Sequence, residues 1–128
     1  MKAGIYIHIP FCKSRCSYCD FATDVYRSKD GVERYVNSII SEIRNSKLEI
    51  RNSADTIYFG GGTPSLLRPE QVARILEAVH AEFHVAPEAE ITMEMNPATV
   101  TAETLAAYRS LGVNRASFGV QTFNDRDL

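Results

Sequence analysis

The sequence predicts an α/β protein in which parallel strands alternate with helices, the N-terminal part of a partial parallel βα barrel. Three observations lead there. Strand and helix patterns alternate with short connections, which implies parallel pairing and right-handed crossovers. Each strand alternates apolar and polar residues, whereas a sheet buried on both faces reads as continuous Val, Ile and Leu. The residues of chemical interest follow the carboxyl ends of the strands, where function sits in βα barrels.

The elements follow in order. Ala3 to Ile9 reads as the first strand, and a helix is expected from about Asp30 to Lys47, with Val32, Tyr35, Val36, Ile39, Ile40 and Ile43 on one face. Glu33, Arg34, Asn37, Glu42 and Arg44 lie opposite. Thr56 to Phe59 forms a second strand and runs into Gly60-Gly61-Gly62-Thr63-Pro64. Pro69, a favoured first helical residue, opens a helix that buries Val72, Ile75, Leu76, Val79 and Phe83. Glu90 to Met95 is a third strand closed by Asn96-Pro97. Thr101 caps a short helix carrying Leu105, Tyr108 and Leu111, and Gly112 ends it. Arg115 to Gln121 is the fourth strand.

The alternation divides the sheet. Ile5, Ile7, Ile9, Ile57, Phe59, Ile91, Met93, Met95, Phe118 and Val120 face the helices. Tyr6, His8, Thr56, Tyr58, Gly60, Thr92, Glu94, Asn96, Ser117, Gly119 and Gln121 face the other way. A buried face tolerates that polarity only around something that hydrogen-bonds, so a curved sheet lining a ligand cavity is expected. Four strands and three helices do not close a barrel, which usually needs about 200 residues or more. The 128 residues are therefore expected to be the N-terminal portion of a larger domain.

Cys12, Cys16 and Cys19 are the only cysteines, spaced C-x3-C-x2-C on one loop after the first strand. A disulfide would leave one over, and the opening Met-Lys-Ala-Gly predicts no export signal, so a reducing cytoplasm is expected. Structural zinc needs a fourth ligand, such as His8 or His80, and its usual paired C-x2-C or His-x3-His signature is missing. An iron–sulfur cube with three cysteines keeps one iron free for a small molecule.

Composition excludes other classes. The chain is 45% hydrophobic with net charge −2, and its Lys and Arg are scattered singly, so no nucleic-acid partner is expected. No apolar run approaches the roughly 18 residues of a membrane span.

The glycine run lets main chain approach a ligand closely. It lacks the Gly-Lys-Ser/Thr of a phosphate loop and the third glycine of a dinucleotide fingerprint. Glu94 points inward between apolar neighbours and needs a partner: a ligand ammonium or ribose hydroxyl on one reading, a salt bridge to Arg115 on the other.

Tyr-Ile-His-Ile-Pro-Phe-Cys-Lys-Ser-Arg-Cys-Ser-Tyr-Cys-Asp-Phe, from Tyr6 to Phe21, resembles the thiolate loop of the radical S-adenosylmethionine (SAM) superfamily. Phe-Gly-Gly-Gly-Thr-Pro-Ser at 59–65, Glu-Met-Asn-Pro at 94–97 and Ser-Phe-Gly-Val-Gln-Thr-Phe at 117–123 narrow it. Together the four motifs are similar to those of the oxygen-independent coproporphyrinogen III oxidase family. The resemblance implies a barrel of radical SAM type in which Cys12, Cys16 and Cys19 hold a [4Fe–4S] cluster whose open iron SAM chelates. It also implies that Tyr6, Tyr18, Gly61, Gly62, Thr63, Glu94 and Gln121 contact SAM.

The chemistry so implied is reductive cleavage of SAM and removal of a hydrogen atom from a substrate. Within that family the oxidases proper carry a further cysteine two places after the third ligand, together with an N-terminal extension. Phe21 stands at that place, and the chain starts almost at the strand. Both features resemble the haem chaperone branch, which implies haem or porphyrin, client haemoproteins and an electron donor as partners. The alternatives are a SAM-dependent oxidase that decarboxylates coproporphyrinogen, and a structural zinc module or inactive fragment.

Overall fold

A computed structural model of the chain describes residues 3–11, 29–46 and 54–118. Four strands, β1 (Ala3–Ile9), β2 (Ala54–Gly61), β3 (Val85–Met95) and β4 (Arg115–Phe118), form one sheet in the order β1-β2-β3-β4. Every adjacent pair is parallel. Helices α1 (Lys29–Arg44), α2 (Pro69–Glu82) and α3 (Ala102–Ser110) lie between consecutive strands in sequence, the alternation expected of a βα fold.

The core is the apolar face of the sheet. Ile7, Ile9, Ile57, Phe59, Met93 and Met95 are buried against Val36 of α1, against Val72, Ile75, Leu76 and Val79 of α2, and against Tyr108 of α3. The remaining apolar residues of α1, from Val32 to Ile43, pack on this core while half-buried. On the other face Tyr6, His8 and Thr56 are exposed and Tyr58 and Glu94 half-buried. The period-two reading thus holds for β1 to β3, except that Thr92 on the polar face is buried.

Local chemistry fixes the helix ends. Pro69 starts α2, and the Arg68 amide donates to Gln71 Oε1 at 2.9 Å. Before α3, Thr101 and Thr104 exchange bonds: the Thr104 amide donates to Thr101 Oγ1 at 3.1 Å and the Thr101 amide to Thr104 Oγ1 at 2.8 Å. Gly112, at φ +114°, ends α3, and the next amide, Val113, donates to the Tyr108 carbonyl at 3.1 Å.

Three expectations need revision. β3 begins at Val85 rather than Glu90, because Ala54 pairs with Val85 before the register jumps to Thr56 opposite Glu90. The jump accommodates Pro87, which has no amide to give to the ladder. β2 runs from Ala54 to Gly61, past both expected ends. Phe118 lies opposite Met95 on the helix side of the sheet, yet it is 49% exposed, since among the described residues no helix covers β4 there. A cleft between α3 and β4, with Met95, Leu105, Tyr108 and Val113 in its lining beside the polar Arg109, Asn114 and Arg115, remains open. No helix among the described residues is long and apolar enough to cross a membrane.

Candidate functional site

The loop after β2 is braced on three sides. Toward β1, the Gly62 amide donates to the Ile9 carbonyl at 2.8 Å and the Thr63 amide to the Phe11 carbonyl at 2.6 Å. The glycine loop is thereby joined to the residue that immediately precedes Cys12. Toward β3, Ser65 Oγ accepts from the Asn96 amide at 3.1 Å and shares a short bond with Thr99 Oγ1. Toward α3, the buried Tyr108 hydroxyl reaches the Leu67 carbonyl at 2.5 Å and the Ser65 carbonyl at 3.2 Å. Burial pushes the Tyr108 phenol up to about 12.

Each of the first two glycines has a separate structural cause. A Cβ on Gly60 would stand 2.8 Å from both the Tyr6 hydroxyl and the Tyr58 ring, so its missing side chain makes room for two aromatic rings. Gly61 has φ +115°, and a Cβ there would lie 2.8 Å from the His8 ring and from the Ile9 carbonyl oxygen. The amides of Gly61, Gly62 and Thr63 all donate within the protein, so shape rather than free donors is what these positions offer a ligand.

Glu94 sits at the centre. Its Oε2 accepts the Tyr58 hydroxyl at 2.7 Å, and its Oε1 accepts the Gly61 amide at 3.1 Å. The Glu94 bond, followed by burial, holds the Tyr58 phenol above its ordinary range, so it remains a donor at neutral pH. Arg115, the alternative partner, pairs instead with Glu90 at 3.0 Å. Among the described residues, Glu94 takes part in no ion pair. Tyr6 is 59% exposed and stacks on Tyr58, the donor to Glu94, with centroids 5.8 Å apart and planes 13° apart.

The structure therefore places Gly61, Gly62, Thr63 and Glu94 at the carboxyl ends of β2 and β3, with the Tyr6 ring reaching toward them from the middle of β1 over Gly60. Cys12, Cys16, Cys19, Tyr18 and Gln121 lie outside the described residues. Of the two candidate histidines, His8 is on the same face, next to Gly61. His80 is in the last turn of α2, at the end of the sheet where β3 begins and remote from the start of the thiolate loop. Sequence reasoning missed Tyr58, Ser65 and Tyr108. Ser65 was visible within the Gly-Gly-Gly-Thr-Pro-Ser motif, whereas the other two read as ordinary strand and helix residues.

The residues present fit a cationic, hydroxyl-bearing ligand. A half-buried carboxylate with neutral donors and no ion-pair partner among the described residues suits a ligand cation or hydroxyl, and the exposed Tyr6 ring stacked on its donor Tyr58 supplies apolar contact.

Known proteins are similar to this chain over nearly its whole length. The model of the radical SAM superfamily matches residues 6–128. The oxygen-independent coproporphyrinogen III oxidase of Bradyrhizobium diazoefficiens is 42% identical over 125 residues, 96% of this chain and 28% of that protein. The heme chaperone HemW of Escherichia coli is 40% identical over 126 residues, 98% of this chain and 33% of that protein. HemW of Synechocystis is 44% identical over 133 residues, 100% of this chain and 32% of that protein. Among solved structures, the coproporphyrinogen III oxidase HemN of Escherichia coli, a radical SAM enzyme, superposes with a TM-score of 0.79 at 28% identity. That match covers 98% of this chain and 29% of the other. The chain spans about a third or less of the length of these relatives.

Proposed function

Since the chain belongs to the radical SAM superfamily, which implies a [4Fe–4S] cluster and SAM, we propose that Cys12, Cys16 and Cys19 ligate the cluster and that SAM lies over Tyr6, the glycine loop and Glu94. The observation that carries this reading is the bond from the Thr63 amide to the Phe11 carbonyl. It anchors the start of the thiolate loop on the same surface that presents Glu94 and Tyr6. Three soft thiolates suit iron–sulfur chemistry and leave one iron without a protein ligand.

Tyr18, within the thiolate loop, and Gln121, beyond β4, are the further contacts under this proposal. When bound, the cluster and SAM supply one-electron cleavage of a carbon–sulfur bond. The chain's own task is to orient them. Glu94 attracts the ligand's positive or hydroxyl end, Tyr6 covers one side, and the braced loop fixes the distance between them.

For the whole protein we propose a haem chaperone that binds haem and passes it to apoproteins in the cytoplasm. Phe21, in place of the oxidase family's additional cysteine, supports this. So does the likeness to two proteins named HemW. A second reading, SAM-dependent decarboxylation of coproporphyrinogen, is supported by the likeness to the Bradyrhizobium oxidase and to HemN. Anaerobic reconstitution of the full-length protein, followed by metal analysis and absorption and paramagnetic resonance spectra with and without SAM, tests the site. Roughly four irons and a SAM-dependent shift are expected; zinc alone rejects it. Assays of haem transfer and coproporphyrinogen turnover, run side by side, separate the two functions, and robust decarboxylation overturns the chaperone reading.

A further inference from the structure

Tyr58 touches two of the candidate SAM contacts, although the sequence offers no sign that it should. The register sets Tyr58 opposite Thr92, while Glu94 lies two residues further along β3. The phenol spans that diagonal by leaning across Gly60, where a Cβ would stand 2.8 Å from its ring. Stacking on Tyr6 fixes the ring, and the hydroxyl then meets Glu94 Oε2 at 2.7 Å. The Gly61 amide takes the other oxygen at 3.1 Å.

A neutral donor directs a carboxylate without cancelling its charge, which an arginine or lysine would do. An ionised carboxylate offers about four lone-pair sites, so two donors leave acceptor capacity for a ligand. We infer that Tyr58 is a positioning residue of the SAM site, one that fixes the Glu94 carboxylate in its binding orientation without pairing it with a cation. The inference rests on the reading of Glu94 as a SAM contact.

The test is a double-mutant cycle on the full-length, cluster-loaded protein, reading the SAM dissociation constant by calorimetry under anaerobic conditions, with iron content and melting temperature as controls. Tyr58→Phe keeps the ring and its stack and removes only the hydroxyl. It is expected to weaken SAM binding about fivefold, the size of one ordinary hydrogen bond, with iron content unchanged. Glu94→Gln is expected to weaken binding at least as much, and adding Tyr58→Phe to it should cost less than about twofold, because the carboxylate to be oriented is gone.

Wild-type SAM affinity in Tyr58→Phe, with Glu94→Gln impaired, overturns the role of Tyr58 and leaves Glu94 in the site. An equal loss from Tyr58→Phe with either residue at 94 also overturns it, because the effect then acts on the fold and not through the carboxylate. Wild-type affinity in Glu94→Gln removes the SAM-contact reading and the inference with it.

Discussion

Arg74 of α2 donates to Glu33 Oε2 of α1 at 2.7 Å, while Gln71 Nε2 donates to Glu33 Oε1 at 3.1 Å, so one carboxylate clamps two helices through both of its oxygens. Arg74 also reaches Asn37 on α1 and Glu70 on α2. Among the described residues Val36 is the one apolar side chain that helix α1 buries completely, so the polar clamp supplements a thin apolar contact.

The clamp predicts acid sensitivity. The Gln71 bond, then the Arg74 bond, hold the Glu33 carboxyl below its ordinary value of 4.5. A lowered native value means that the stabilisation is present above about pH 4.5 and is lost as pH falls through the native value. Denaturant midpoints measured between pH 3 and 6 should fall less steeply in Glu33→Gln than in the wild type. The difference should shrink in high salt, because the pair is partly exposed.

Tyr108 predicts the opposite limb. Its native value near 12 lies above the ordinary 10, so its contribution is complete below pH 10 and disappears as pH rises toward 12. Tyr108→Phe should remove this alkaline dependence. At neutral pH it should cost about 1 to 2 kcal/mol, because the Leu67 carbonyl loses its phenol donor in a buried position. Urea unfolding at pH 7 and pH 10.5 checks both statements.

Two glycines of similar φ separate backbone strain from crowding. Gly61→Ala meets the His8 ring and the Ile9 carbonyl oxygen at 2.8 Å, whereas Gly112→Ala meets only the tip of Ile91 at 3.5 Å. Gly112→Ala should cost about 1 kcal/mol from its positive φ, and Gly61→Ala about 2 kcal/mol or more. Only the Gly61 variant should also impair SAM binding. Thermal unfolding and ligand titration distinguish the pair.

Cys16→Ala and Glu94→Ala divide the proposed site by function. The cysteine variant should retain no stable cluster after reconstitution, as judged by iron content and absorption. The glutamate variant should keep the cluster and bind SAM about tenfold more weakly. Wild-type SAM affinity in the latter removes Glu94 from the site.

Much of the scaffold was legible because its causes are local. The alternation of β1 follows from the pleat, and the openings at Pro69 and Thr101 follow from capping chemistry carried by adjacent residues. The first residues of β3 were not legible, because the pairing of Val85 with Ala54 is a long-range event around Pro87. Phe118 was assigned to the correct face, but alternation says nothing about whether a helix covers it. Glu94 was singled out from its polarity and position as a residue in need of a partner. The Tyr58 bond was not, since it depends on the space over Gly60, and the Tyr108 brace joins residues 43 positions apart with no local sign.

The stitching of Gly62 and Thr63 to Ile9 and Phe11 uses main-chain groups alone. If the proposed cluster site is right, a platform secured in that way is expected to stand before any iron arrives, with cofactor insertion a late and local event rather than a folding step. Chelator-stripped protein should accordingly retain slow deuterium uptake at these two amides, and the platform could be emptied and refilled without unravelling the sheet beneath it.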